Sequence, residues 1–130
     1  MKNLFAVLAV VTLTLLVIPS CKKKNDLPQE PIVNVLSPEN NSFYHSGDTV
    51  QLKAAASDNE DLHEMRIEIK KANLLVFGYY PYTHALESYT ADTIFKCPIV
   101  VDTTAYLIEF EAEDHDYNKT LKTVNIIVAP

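Results

Sequence analysis

The stretch AYLIEFEAE, residues 105–113, decides the fold class of this chain. Its apolar side chains occupy every second position, with glutamates between the later ones: Tyr106, Ile108, Phe110 and Ala112 alternate with Glu109, Glu111 and Glu113. Because successive side chains of a β-strand point to opposite faces, this period of two predicts a strand with one face in a core and the other in water.

The same period of two continues on both sides of that strand. Four further strands are predicted by it, at 32–36, 49–57, 62–71 and 119–128. Residues 58–61 are predicted to turn the chain, residues 93–101 to hold a strand interrupted near Pro98, and residues 74–89 to form a hairpin or an edge strand with a long loop. Glu, Met and Lys in 62–71 favour a helix, but the apolar residues there also recur at every second position. The sequence therefore predicts an all-β fold, an immunoglobulin-like antiparallel β-sandwich of about seven strands.

The N-terminus predicts export. Residues 1–20 hold one lysine followed by an uncharged apolar run, which is typical of a signal peptide. The run at 4–18 would span only about 22 Å as a helix, against about 30 Å of bilayer hydrocarbon. It ends in Ile18-Pro19-Ser20-Cys21, which resembles the bacterial lipobox, although Pro19 departs from the usual small residue. The resemblance implies a lipoprotein with lipid, including palmitate, on Cys21; an ordinary signal peptide with a chance cysteine and a short membrane anchor are the alternatives.

The rest of the chain divides into a tether and one domain. Residues 21–30 contain the cysteine and the polar run KKKNDLPQE, and residues 31–130 are long enough for one core. Lipidation leaves only Cys97, so an intramolecular disulfide is not expected. The domain carries seven basic and fifteen acidic residues, a net charge of −8, which opposes binding to nucleic acid. Lys22 directly after Cys21 is compatible with sorting to the outer membrane of the cell envelope, where the domain would face the periplasm or the outside.

Two stretches of the domain resemble a bacterial immunoglobulin-like domain. SPENNSFYHSGDTVQLKAAASDNEDLHEMRIEI, residues 37–69, resembles its first half, and AYLIEFEAEDHDYNKTLKTVNIIV, residues 105–128, resembles its closing hairpin. The chain is similar to short Bacteroidetes-type lipoproteins that carry one such domain on a lipid tether. The aromatic segment between the two stretches departs from a minimal domain, so it is where individual function is expected.

The acidic loops form the first candidate site. The loops at 58–61 and 114–118 are expected at one end of the sandwich, where the tether also joins. Their carboxylates predict a calcium site, and no other cofactor is expected: Asp58, Glu60, Asp61, Asp114 and Asp116. Ordinary turn chemistry is the alternative, because the chain has only two glycines and Asn and Asp must supply its tight turns.

The aromatic segment forms the second candidate site. Its rings would bind a protein or glycan partner, or else cover the core or a sheet edge: Phe77, Tyr79, Tyr80, Tyr82 and Tyr89. The four histidines, His45, His63, His84 and His115, have no metal-ligand spacing in sequence, so they are expected to be solvated or hydrogen-bonded.

Three short motifs point to modification. Thr49, Thr93 and Thr103 each follow an aspartate and precede an aliphatic residue or threonine, which resembles the O-glycosylation acceptor of Bacteroidetes-type exported proteins. Asp-Thr is also ordinary chemistry for the start of a strand, so that interpretation stays open.

Catalytic motifs are missing from the sequence. It has no Gly-x-Ser-x-Gly, no phosphate-binding glycine loop and no His-Glu-x-x-His. The sequence predicts a non-enzymatic, membrane-tethered binding or accessory module of the cell envelope. A structural spacer or assembly component is the alternative, and a metal-binding protein or enzyme using His63, His84 or His115 is a lesser one.

Lipidation gives the first testable prediction. Mass spectrometry of protein extracted from membranes should show that residues 1–20 are lost and that Cys21 carries acyl chains. Cys21→Ala should release the domain or leave uncleaved precursor. An intact N-terminus on the wild-type protein, or a soluble unmodified Cys21, would contradict the prediction.

Overall fold

The computed structural model describes residues 29–130, so the predicted signal peptide, Cys21 and most of the tether lie outside the described residues. Seven strands follow one another along the chain: β1 (Ile32–Ser37), β2 (Ser42–His45), β3 (Thr49–Lys71), β4 (Leu74–Tyr79), β5 (Leu86–Lys96), β6 (Thr104–Asp114) and β7 (Lys119–Ala129). Within this range no helix is long and apolar enough to cross a bilayer.

Strand β3 corrects the prediction of two strands separated by a turn at 58–61. It is one strand of 23 residues. Ser57 pairs with Ser88 and Leu62 pairs with Leu86, so residues 58–61 stand opposite a single residue of β5. The Asn and Asp residues that indicated a turn form a large bulge in a continuous strand.

The two halves of β3 belong to different layers. Before the bulge, β3 pairs with β1 and β5; after it, β3 pairs with β4 and β6, and β6 leads to β7 and then β2. Leu52 from the first half and Ile67 from the second lie in the same buried cluster. All pairs are antiparallel except β2 with β7. The predicted all-β immunoglobulin-like sandwich is confirmed.

A second irregularity sets which side chains of β3 face the core. Leu62 pairs with Asp114 and Glu64 with Glu113, so His63 is an extra residue in this ladder. Because the side-chain period of a strand is two, one inserted residue moves the following side chains to the other face. The buried positions accordingly change from even to odd numbers along β3: Val50, Leu52, Ala54, Ala56 and Leu62, then Met65, Ile67 and Ile69.

A tight hairpin joins β3 to β4. Ala72 and Asn73 have φ values of 48° and 66°, and positive φ at both central residues is the mark of a type I′ turn. Beyond this turn, β4 and β5 together run antiparallel along nearly the whole of β3. The segment predicted as a hairpin or edge strand at 74–89 is therefore edge strand β4, a loop at 80–85 and the start of β5.

Two other predicted elements need correction. The strand expected at 93–101 begins earlier and ends at Lys96, so Pro98 lies beyond it rather than inside it. Strand β2 lies in a segment for which no strand was predicted. Its hydrogen bonds go to β7 at the other end of the sequence, which local patterns do not reveal.

The core prediction is tested by one pair of matched substitutions. Ile67 is fully buried, whereas Ile94 on β5 is 64% exposed. Ile67→Ala should lower the free energy of unfolding by about 2–5 kcal/mol, because it leaves a cavity. Ile94→Ala should cost less than about 1 kcal/mol, the range of strand propensity. Urea unfolding followed by circular dichroism measures both, and equal costs would contradict the assigned register.

Candidate functional site

Three histidines meet at the end of the sandwich where β3 bulges. One ring nitrogen of each of His63, His84 and His115 lies within 4.8 Å of the others. The ring centroids are 5.4 Å apart for His63 and His84, 5.2 Å for His63 and His115, and 4.7 Å for His84 and His115. These histidines come from three separate segments, so sequence spacing gave no signal of their meeting.

Strand pairing at Leu62 brings the three segments together. Leu62 pairs with Leu86 of β5 on one side and with Asp114 of β6 on the other. His63 is the extra residue of the bulge, His84 lies in the loop just before β5, and His115 lies in the turn just after β6. The bulge at His63 in β3 therefore places the three histidine side chains around Leu62.

A hydrogen bond orients one of the three histidines. His115 Nδ1 lies 3.2 Å from the carbonyl oxygen of Asp61, so the tautomer that donates from Nδ1 leaves its Nε2 lone pair available. His63 Nδ1 is buried and has no hydrogen-bond partner among residues 29–130. Two tyrosine rings flank the cluster: the centroid of Tyr82 is 6.2 Å from that of His84, and that of Tyr117 is 6.4 Å from that of His63. His45, at the end of β2, is not part of the group.

The two acidic residues of the β6–β7 turn have different roles. Asp114 is only 3% exposed, and its carboxylate accepts hydrogen bonds from the backbone N–H of Asp116, the backbone N–H of Asn118 and the Asn118 side-chain amide. Asp116 is exposed. Asp114 thus holds the turn that carries His115, which agrees with the turn-chemistry interpretation of this loop.

The acidic residues of the β3 bulge are also used locally. Asp58 Oδ1 accepts a hydrogen bond from the backbone N–H of Glu60, and Asp61 has a φ of 70°. Across residues 29–130, the histidine triad is the one group of three or more His, Cys, Asp or Glu side chains with ligand atoms close enough to share an ion. The five carboxylates named for calcium do not form such a group.

Three rings of the aromatic segment pack against the core. Phe77, Tyr79 and Tyr89 contact the buried cluster, and the Phe77 ring lies edge-on to Phe95 with centroids 5.6 Å apart. The hydroxyls of Tyr79 and Tyr89 are 3.5 Å apart, and this contact raises the pKa of Tyr89. These three rings therefore lie where the alternative interpretation expected them, as a cover over the core.

Tyr80 and Tyr82 are the exposed rings of the segment. Tyr80 lies over Gly78, where an added Cβ would come within 2.7 Å of the ring. Its hydroxyl donates to Glu68 Oε1 at 2.9 Å, which lowers the pKa of Glu68 and raises that of Tyr80. Tyr82 is 82% exposed and lies beside the histidine cluster.

Edge strand β4 presents a further apolar surface. Leu74, Leu75 and Val76 are exposed, and Leu74 reaches 72%. Among the described residues, β4 pairs with β3 alone, so its outer backbone edge has no strand beside it. The tyrosines of this segment were predicted to bind a partner, whereas these aliphatic residues were not.

The three candidate glycosylation residues differ in accessibility. Thr49, the first residue of β3, and Thr103, just before β6, are exposed. Thr93 is half-buried within β5, where it pairs with Leu52. Cys97 is buried, and burial raises the pKa of its thiol.

The comparisons with known proteins identify the fold. No protein-family model and no curated protein sequence match the chain. It is similar to the fibronectin(III)-like modules of CbhA from Clostridium thermocellum, with 16% identity and a TM-score of 0.51 over 75% of this chain and 94% of that chain. It is also similar to Spo0M, a sporulation control protein from Bacillus subtilis, with 10% identity and a TM-score of 0.53 over 81% of this chain; this chain spans 51% of that one. At these identities the likeness shows an immunoglobulin-like sandwich and nothing finer.

Asp114 and Asp116 allow a matched test of the turn. Asp114→Asn replaces an acceptor oxygen by an amide that faces the Asn118 amide, so it should lower the free energy of unfolding by about 1–3 kcal/mol. Asp116→Asn changes an exposed side chain and should stay within about 0.5 kcal/mol. Chemical denaturation compares the two variants, and a larger loss for Asp116→Asn would show that the hydrogen bonds of this turn are wrongly assigned.

Proposed function

We infer that residues 31–130 act as a non-enzymatic binding or accessory module, held to a membrane of a bacterial cell envelope by lipid on Cys21. We infer further that edge strand β4 binds a polypeptide partner. The fibronectin-like fold supports a generic binding or accessory role. The observation that carries the finer proposal is the exposed run Leu74, Leu75 and Val76 on a strand whose outer edge is unpaired within residues 29–130.

An edge strand of this kind favours strand addition. Natural sheet edges are usually protected by lysine, proline, inward charges or very short strands. Strand β4 has six residues, LLVFGY, with neither charge nor proline. An extended peptide could continue the backbone ladder along β4 and place its apolar side chains against the exposed leucines and valine. The opposite edge of this layer, β2, has only four residues.

The ring positions favour a polypeptide over a glycan. Sugar binding by stacking needs aromatic faces that are open to solvent. Phe77, Tyr79 and Tyr89 pack against the core, and one side of the Tyr80 ring lies on Gly78. Tyr82 is the one ring of the segment left fully open.

The proposed tether leaves β4 accessible. Ile32 pairs with Ser57, so the first strand of the domain starts at the bulge end, and a tether before residue 31 would join there. A linker of nine residues reaches at most about 30 Å, which keeps that end near the membrane. Strand β4 starts at the Ala72-Asn73 hairpin, away from the bulge, and a partner can approach it from the side.

Site-specific photo-crosslinking in cells tests this proposal. A crosslinking amino acid at Val76 should give an adduct that protease removes, whereas the same probe at Val101, an exposed loop residue, should give none. Leu75→Lys, which adds a charge to the edge, should reduce the adduct at least about tenfold, and Ile94→Lys on the other layer should not. An adduct removed by glycosidase would indicate a glycan partner, and no adduct at either position would favour the structural-spacer alternative.

A further inference from the structure

We propose that His63, His84 and His115 form a binding site for one divalent transition-metal ion, with Zn²⁺ as the representative ion. The three imidazoles bind the ion through one nitrogen each, and a fourth position stays open to water or to a donor from outside the triad. This site is separate from the β4 edge, so it does not depend on the partner proposed above.

Ring separation matches a metal-bound triad. In a tetrahedral site with metal–nitrogen bonds of about 2.0–2.1 Å, neighbouring ligand nitrogens lie about 3.3 Å apart and imidazole centroids about 5.2 Å apart. The observed centroid separations run from 4.7 to 5.4 Å. The ligand nitrogens lie within 4.8 Å of one another, so they need to approach by at most about 1.5 Å to reach the spacing of a tetrahedral site.

The donor set selects the class of ion. Neutral imidazole suits Zn²⁺, Cu²⁺ and Ni²⁺, whereas Ca²⁺ and Mg²⁺ require mostly oxygen ligands. Three histidines with one open position is a known zinc arrangement. Asp114, which precedes His115, is occupied by its own turn, and the group of ligand atoms that lie close together consists of the three imidazole nitrogens.

One neighbouring group can orient His115, and in the described part of the chain one nitrogen of His63 is left without a hydrogen bond. Metal-bound histidines commonly donate their second ring N–H to a carbonyl or carboxylate, which fixes the tautomer. The Asp61 carbonyl stands 3.2 Å from His115 Nδ1 and can serve in this way. His63 Nδ1 is buried with no hydrogen-bond partner within residues 29–130, so its lone pair is not engaged by any described group.

A bound ion would join three parts of the domain. His63 belongs to β3, His84 to the β4–β5 loop and His115 to the β6–β7 turn, so coordination would close the end of the sandwich near the tether. The domain also carries an excess of negative charge, which favours the approach of cations. Because the ion binds only the folded arrangement, it should raise the melting temperature in proportion to the logarithm of its concentration.

Calorimetric titration of the whole chain tests the site. The protein is purified in detergent without a polyhistidine tag, stripped with a chelator and titrated with ZnCl₂. We expect one zinc per chain with a Kd of about 10 μM or tighter, together with a rise in the melting temperature. Co²⁺ should give the visible absorption of a tetrahedral site.

Matched histidine variants separate this site from general zinc binding. His84→Ala, in an exposed loop, should weaken zinc binding at least about tenfold, remove the thermal shift and abolish the Co²⁺ absorption, since loss of a mere outer-shell partner already costs 10–100-fold. His45→Ala, an exposed histidine outside the cluster, should leave all three unchanged. Circular dichroism checks that both variants fold.

Three outcomes would overturn the proposal. The first is no saturable zinc binding, or equal binding by wild type and His84→Ala. The second is saturation at one zinc per two chains, with light scattering showing that the chains form dimers. That result would place the ion between two copies. The third is Ca²⁺ producing the larger thermal shift, since that would assign the end of the sandwich to oxygen ligands.

Discussion

Strand β3 is hydrogen-bonded to four of the other six strands, and both layers depend on its passage from one to the other. The passage happens at residues 58–63, where a four-residue bulge against β5 is followed by a one-residue bulge against β6. The first lets the strand leave one layer, and the second corrects the direction of the side chains, so Met65, Ile67 and Ile69 face the core. Without both irregularities, the two halves could not share one core.

Much of the fold could be predicted because alternation is a local signal. Strands β6 and β7 were predicted within one residue at each end, and the predicted core residues Tyr106, Ile108 and Phe110 are buried. The bulge in β3 was mistaken for a turn because both use Asn and Asp with unusual φ values. Strand β2 was not predicted, and the three histidines were named only as a lesser metal-binding alternative without the geometry of their cluster, since each feature depends on contacts between segments far apart in sequence.

The candidate site residues show how little a residue type says about its role. Asp114 and Tyr80 were chosen for a ligand or a partner, yet one holds a turn and the other covers a glycine. Both roles are structural, so these two side chains are less available to bind a ligand or a partner. Within residues 29–130, no strand pairs with the outer edge of β4 and no group hydrogen-bonds to His63 Nδ1. The proposals therefore rest on groups that the fold does not itself require.

The hairpin at Ala72 and Asn73 also bears on how the chain folds. Pairing can begin at Lys71 with Leu74 and extend to Ile67 with Tyr79. After the loop at 80–85 it resumes at Leu62 with Leu86 and ends at Thr49 with Lys96, so each step closes only a small additional loop. Isolated hairpins form in about 1–10 μs, far faster than sheets built from distant segments. We expect β3, β4 and β5 to assemble first and to serve as the template for β6. We expect strand β2 to join last, because its parallel partner β7 must already be in place.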